Sequence, residues 1–195
     1  MRAAAAKVLT SEPQACKVMS IDLKQDFFSL FGLPRAFRID EGALELAYHD
    51  LQGQVHPDRF AHLDSAEQRR SMQWATHVNE AFRTLKKPLA RAQYLLELAD
   101  VDVGLQTNTA MSPEFLMEQM EWREAVEEAR SEGECEPLEH LHRRLRQRSR
   151  EVFDEMENAL DIEGDLPTAA ETLRRLMFMD KLQHDIDDAL EALET

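Results

Sequence analysis

Basic residues are in short supply: Lys and Arg number 23 against 38 Asp and Glu, a formal charge of −15. A nucleic-acid binder needs clustered cations to meet phosphates, so that class is set aside. Glycine occurs six times and proline seven times in 195 residues, and no β-branched alternation runs beyond a few positions, which argues against a sheet built on tight turns. The two cysteines, Cys16 and Cys135, are far apart and form no CxxC pair. Neither a disulfide scaffold nor a structural zinc site is expected, and a reducing compartment is the default. No apolar run approaches the roughly 20 residues of a membrane-spanning helix. The N-terminal stretch from Met1 to Leu9 is basic and alanine-rich, but Lys7 interrupts an apolar run already too short for a secretion signal. Residues 1–21 are therefore expected to form a poorly ordered tail, and the chain to be cytoplasmic with no membrane partner.

What remains is helical patterning. Residues 26–31 form a short aromatic helix that Gly32 and Pro34 stop. Asp40 is placed to cap a second helix, in which Leu44, Tyr48, Leu51 and Val55 share one face. Pro57 disfavours helical geometry in the residue before it, so this helix ends near His56. Ser65-Ala66-Glu67-Gln68 fits a capping box for a third helix with Ala75, Val78, Phe82 and Leu85 as its stripe. The two stripes are expected to pack as an antiparallel hairpin. A fourth helix runs from Leu89 to Leu98.

Residues 99–112 are irregular and read as a linker. Ser112-Pro113-Glu114 is a strong helix start, and helices over about 113–131, 137–160 and 167–194 are expected to form a three-helix bundle spanning 113–195. Charge divides at the same place. Residues 22–98 carry 10 basic and 11 acidic groups, whereas residues 99–195 carry 10 and 26. The fold class is thus all-α, in two domains of very different charge.

His56-Pro57-Asp58 falls in the loop between the second and third helices. A Pro-Asp pair in a loop is ordinarily just a turn, so its context carries the weight. The short helix ending Phe31-Gly32-Leu33-Pro34 precedes it, and Asn79-Glu80-Ala81-Phe82, Leu85, Pro88 and Arg91 follow. In this order roughly residues 24–98, within a domain placed at 22–98, resemble the J-domain, a module that stimulates ATP hydrolysis by DnaK-type chaperones through a His-Pro-Asp loop. Pro88-Leu89-Ala90-Arg91-Ala92, the run from Phe115 to Glu121, and Arg175-Leu176-Met177-Phe178-Met179-Asp180-Lys181-Leu182 are similar to the HscB family of iron–sulfur co-chaperones. That resemblance implies an L-shaped molecule, a monomer with no cofactor, that binds the scaffold IscU and presents it to the chaperone HscA. It implies that His56, Pro57 and Asp58 contact the chaperone. It also implies that Leu116, Met117, Met120, Glu121, Glu124, Glu128 and Phe178 bind the scaffold. The chain would be an ATPase activator and not an enzyme.

Periodicity supplies an independent reading of the same helix. Phe115, Trp122, Ala125, Val126 and Ala129 make one core stripe, while Leu116, Met117 and Met120 project to the opposite side with Glu124 and Glu127. One helix of a three-helix bundle does not need two apolar faces. The second stripe either packs on the J-domain or its linker, or docks a partner with adaptable methionines inside a charged border. On the last helix, Met179, Leu182, Ile186 and Leu190 define the seam, and Phe178 lies about 80° from it.

Two rivals are weighed. A J-domain protein with another client has no reason to carry the α-helical patch residues. A small metal-dependent hydrolase would use His56, Asp58 and His62, but these three lie in one loop with no second ligand helix opposite. The remaining features read as ordinary structure: Trp74 and Trp122 as packing residues, Arg143, Arg144, Arg146, Arg148 and Arg150 as a solvated face paired with nearby Glu, and the other methionines as core. One departure from the J-domain pattern stands out. The second helix has no Lys or Arg, and carries Glu41, Glu45 and Asp50, so that steering toward an acidic ATPase would fall to Arg59, Arg69 and Arg70.

Overall fold

A computed structural model describes residues 22–60, 64–103 and 112–194. Among them there are helices and no strands: α1 (Phe27–Leu30), α2 (Glu41–Val55), a single 3-10 turn (Pro57–Phe60), α3 (Ser65–Lys86), α4 (Pro88–Leu98), α5 (Pro113–Glu132), α6 (Cys135–Glu157), a π-helical segment (Asn158–Glu163) and α7 (Leu166–Glu194). The expected tail, 1–21, and most of the linker lie outside the described residues.

Local chemistry explains most boundaries. Asp26, Asp40 and Ser112 each accept a backbone N–H of the first turn that follows. The expected capping box at Ser65 is corrected: Asp64 is the cap, its carboxylate accepting from Ala66 N and Glu67 N at 2.8 Å, because a carboxylate at that position serves two donors at once. α6 begins at Cys135, two residues before the expected start. Pro137 falls inside the first turn, where its missing N–H has no intrahelical partner to lose. Gly133 and Gly164 end their helices in the left-handed region, at φ 70° and 66°.

α2 and α3 form the antiparallel hairpin, and α1 lies across its base. Phe28, Phe31, Leu44, Val78, Ala81 and Leu85 make up its buried core. Full burial of side chains this size contributes about 1.5–3 kcal/mol each. Tyr48 stacks on Phe82 with ring centroids 4.0 Å apart and donates its hydroxyl to Asn79 at 2.9 Å. The Tyr94 hydroxyl accepts from Phe27 N, tying α4 to α1.

α5, α6 and α7 pack mutually as a three-helix bundle, with α6 on α7 the most extensive contact. Phe115, Trp122, Val126 and Ala129 of α5 are buried in or beside it, as their stripe requires, and Met179, Leu182 and Ile186 are buried along α7. The bundle's core does not stop at the linker. Ala92 and Leu96 of α4, Phe37 of the α1–α2 loop and Val103 belong to the same buried cluster, and α4 lies along α7. The Asp161 carboxylate reaches back across 124 residues to accept Phe37 N at 2.6 Å and Arg38 N at 2.8 Å. Arg38 pairs with Glu157 at 3.3 Å, and Arg174 donates to Val103 O at 3.1 Å. Beneath Phe37 lies Arg91, buried, donating to Leu85 O with its guanidinium 5.5 Å from the ring centroid. Burial pushes the Arg91 pKa down, while Glu41 and Asp161 pull it back up.

Met72 is exposed, so the expectation of a core role for every remaining methionine is corrected. Its position on α3 faces away from the hairpin core.

Candidate functional site

The His-Pro-Asp turn is built from below. Val55, Phe60 and Trp74 form a small buried cluster of their own, with Phe60 and Trp74 edge to face at 6.2 Å. Phe60 therefore anchors the far end of the 3-10 turn, and Val55 the near end. The buried Ser71 hydroxyl donates to Val55 O at 3.0 Å, satisfying a carbonyl that the end of α2 leaves without a helical partner. Arg59 donates to Gly53 O at 3.1 Å from its side chain and to His56 O at 3.0 Å from its backbone.

With both ends fixed, His56 and Asp58 face solvent. The side chains of His56 and Asp58 are 53% and 89% exposed, and their His56 Nδ1 to Asp58 Oδ2 distance is 3.5 Å. Asp58 N donates to His56 Nδ1 at 3.3 Å. In the neutral ring this acceptor role puts the proton on Nε2, leaving Nε2–H to donate elsewhere. The turn thus presents an exposed imidazole and an exposed carboxylate side by side above a buried base.

The far end of the hairpin from the turn bears on the missing basic residues of α2. Lys86 of α3 reaches Glu41 at 3.1 Å and Glu45 at 2.7 Å. That contact holds the Glu45 carboxyl below its ordinary pKa and raises the Lys86 ammonium above its own. Two of the three acids noted on α2 are therefore answered within the chain. Arg69 and Arg70 are exposed on α3.

The second group of candidates lies on α5. Leu116, Met117 and Met120 are exposed at 45%, 64% and 60%, so among the described residues nothing covers this stripe. Glu121, Glu124 and Glu128 are exposed on the same helix. Phe178 of α7 sits half-buried at the flank, edge to face with Phe115 at 5.9 Å and with the Arg123 guanidinium 5.7 Å from its centroid. Phe178 of α7 thus meets α5 at Phe115 and Arg123, while Glu121 and Glu128 lie farther around that helix. Glu118 turns the other way, into an ion-pair network with Arg148 at 3.3 Å and Arg175 at 3.8 Å that fixes α5 against α6 and α7.

The arginines of α6 divide in a way that helical spacing does not reveal. Arg143 pairs with Glu139, and Arg148 with Glu118, Glu151 and Glu155. Arg144 lies over Trp122 at 5.2 Å. Arg146 and Arg150 make no ion pair among the described residues. Among those residues no group of three His, Cys, Asp or Glu side chains is arranged to hold a metal. His62, the third ligand of the hydrolase reading, lies outside them.

A helical hairpin with a His-Pro-Asp turn at its tip, joined to a bundle with an exposed apolar helix face, has the architecture of a J-type co-chaperone. Residues 111–187 match the family model described as the HSCB C-terminal oligomerisation domain. The chain is 73% identical over 177 residues to a protein of Aromatoleum aromaticum named co-chaperone protein HscB homolog, spanning 91% of this chain and 100% of that one. Among solved structures, chaperone HscB from Vibrio cholerae superposes with a TM-score of 0.74 at 31% identity, covering 87% of this chain and 99% of that one. Human co-chaperone protein HscB gives 0.81 at 29% identity, covering 96% and 93%. The chain belongs to the HscB co-chaperone family.

Proposed function

We propose that the chain acts in iron–sulfur cluster assembly as an adaptor with two working ends. Residues 113–195 hold the scaffold IscU, residues 22–98 trigger the chaperone HscA, and residues 99–112 join them. The observation that carries the client-holding part is the α5 face: an apolar stripe left in water, bordered by carboxylates, has the anatomy of a docking patch with soft anchors and a charged rim. Leu116, Met117, Met120 and Phe178 supply apolar contact, and Glu121, Glu124 and Glu128 select a partner with basic groups at the rim. At the other end, Asp58 and His56 act by contact. The Asp58 carboxylate is free to accept a charge-assisted hydrogen bond from an arginine of the ATPase, and His56 to donate one. Hydrolysis takes place on the chaperone, so no residue here serves as a general base.

Chaperone ATPase assays with and without IscU test this directly. Full-length protein should raise turnover further when the scaffold is present than when it is absent, and equal stimulation in both cases would sink the adaptor reading. The reading also takes the chain as a monomer. Because the matching family is described as an oligomerisation domain, sedimentation of the free protein is the check.

A further inference from the structure

A groove of about 740 Å³ runs between α4, α6 and α7, on a side of the bundle that no residue of α5 lines. Its floor is apolar, formed by Leu89, Phe153, Leu176 and Met179. Its rim is basic. Lys87, Arg146 and Arg150 line it, His184 stands beside them, and Asp180 is the single carboxylate in the lining. Lys87, Arg146 and Arg150 are all exposed and make no ion pair among the described residues. In a chain of charge −15, three cations left unanswered around one apolar groove are not explained by folding.

We propose that this groove docks an acidic amphipathic helix of a protein partner. Charge complementarity selects the occupant: the lining sets three cations without ion pairs among the described residues against one carboxylate, whereas the other arginine-lined pocket of the bundle carries Glu118, Glu121 and Glu151 among its arginines. Spacing selects its form. Arg146 and Arg150 stand one turn apart on α6, about 6 Å along the axis, matching carboxylates at i and i+4 on a facing helix. Between them, apolar side chains of the partner meet the groove's floor. Lys87 directly follows α3, and the His-Pro-Asp turn precedes that helix. The 22 residues of α3 place the two about 33 Å apart, so groove, turn and α5 face can be occupied together.

The test is fluorescence anisotropy on the full chain. The probe is a labelled helical peptide carrying Glu at i and i+4 with Leu between, and the comparison peptide has each Glu replaced by Gln. The Glu peptide should bind with an affinity that falls as salt rises. Arg146→Glu with Arg150→Glu should weaken it on the order of tenfold or more, while Met117→Ala with Met120→Ala leaves it unchanged. Should charge reversal disturb folding by circular dichroism, Lys87→Gln with Arg146→Gln is expected to give a smaller loss in the same direction. Equal binding of the Gln peptide, or binding untouched by either pair of rim variants, overturns the proposal. So does tight binding of inorganic triphosphate without binding of the peptide, which would make the groove a small-anion site.

Discussion

In the hairpin the candidate residues sit where a helix ends: His56 caps α2 and Asp58 lies in the 3-10 turn that follows, a segment pinned by Val55, Phe60 and Trp74. In the bundle they ride on a helix whose opposite face is core, so that Leu116, Met117 and Met120 are aimed by the burial of Phe115, Trp122 and Val126. The first arrangement gives a small, sharply defined contact of polar groups. The second gives a broad, forgiving apolar one. A trigger that must discriminate by geometry suits the turn, and a grip on a client surface suits the methionine face.

The comparison breaks most visibly at the turn. His56→Gln should reduce chaperone stimulation to the basal rate while shifting the melting temperature by no more than about 2 °C, as expected of an exposed position; undiminished stimulation would refute the trigger assignment. At the α5 face the loss should be graded. Met117→Ala with Met120→Ala should weaken scaffold binding on the order of 10- to 100-fold, measured by calorimetry, with little change in stability. Phe178 belongs to a separate test, because it packs against Phe115. Phe178→Ala should cost both affinity and folding stability, and an unchanged melting temperature would contradict the packing described.

A third variant addresses what joins the two regions. Asp161→Ala strips the acceptor from Phe37 N and Arg38 N and should cost about 1–3 kcal/mol, with faster amide exchange at those two positions as the local signature. The smallest effect concerns α1. Burial raises the Asp26 pKa, but hydrogen bonds from Arg35 and Ser29 outweigh it and hold the carboxyl at about 2, below its ordinary 3.8. A depressed folded-state value means the charge stabilises the fold above pH 3.8, and the gain is lost as pH falls through about 2. Urea titrations should therefore show Asp26→Asn less stable than the parent by about 0.5–1 kcal/mol at pH 7, the gap closing by pH 2.

Much of this was legible in the sequence because it rests on local rules. Periodicity located the stripes of α2, α3, α5 and α7, Pro57 and Pro88 marked where helices stop, and Ser112-Pro113-Glu114 marked where α5 starts. It could also show that Leu116, Met117 and Met120 oppose the core stripe, but not whether another part of the chain covers them, since that depends on where the N-terminal helices lie. Long-range polar contacts were out of reach for the same reason. Asp161 looked like one more acid before a glycine turn, and Lys86 like one more lysine at a helix end. Only tertiary proximity shows the first holding two distant N–H groups and the second pairing with two acids of α2. The α6 arginines teach a related lesson, because i to i+4 pairing accounts for Arg143 but not for Arg146 and Arg150.

Phe37, Ala92 and Leu96 are contributed by the N-terminal half but buried with the bundle, and this bears on how the molecule melts. Two domains with separate cores could unfold one after the other, each with its own enthalpy. Here, opening the bundle uncovers apolar surface on α4, and detaching α4 uncovers the bundle, so the halves are thermodynamically coupled and should lose structure in a single transition. A destabilising change in either half is then felt at the His-Pro-Asp turn and at the α5 face alike.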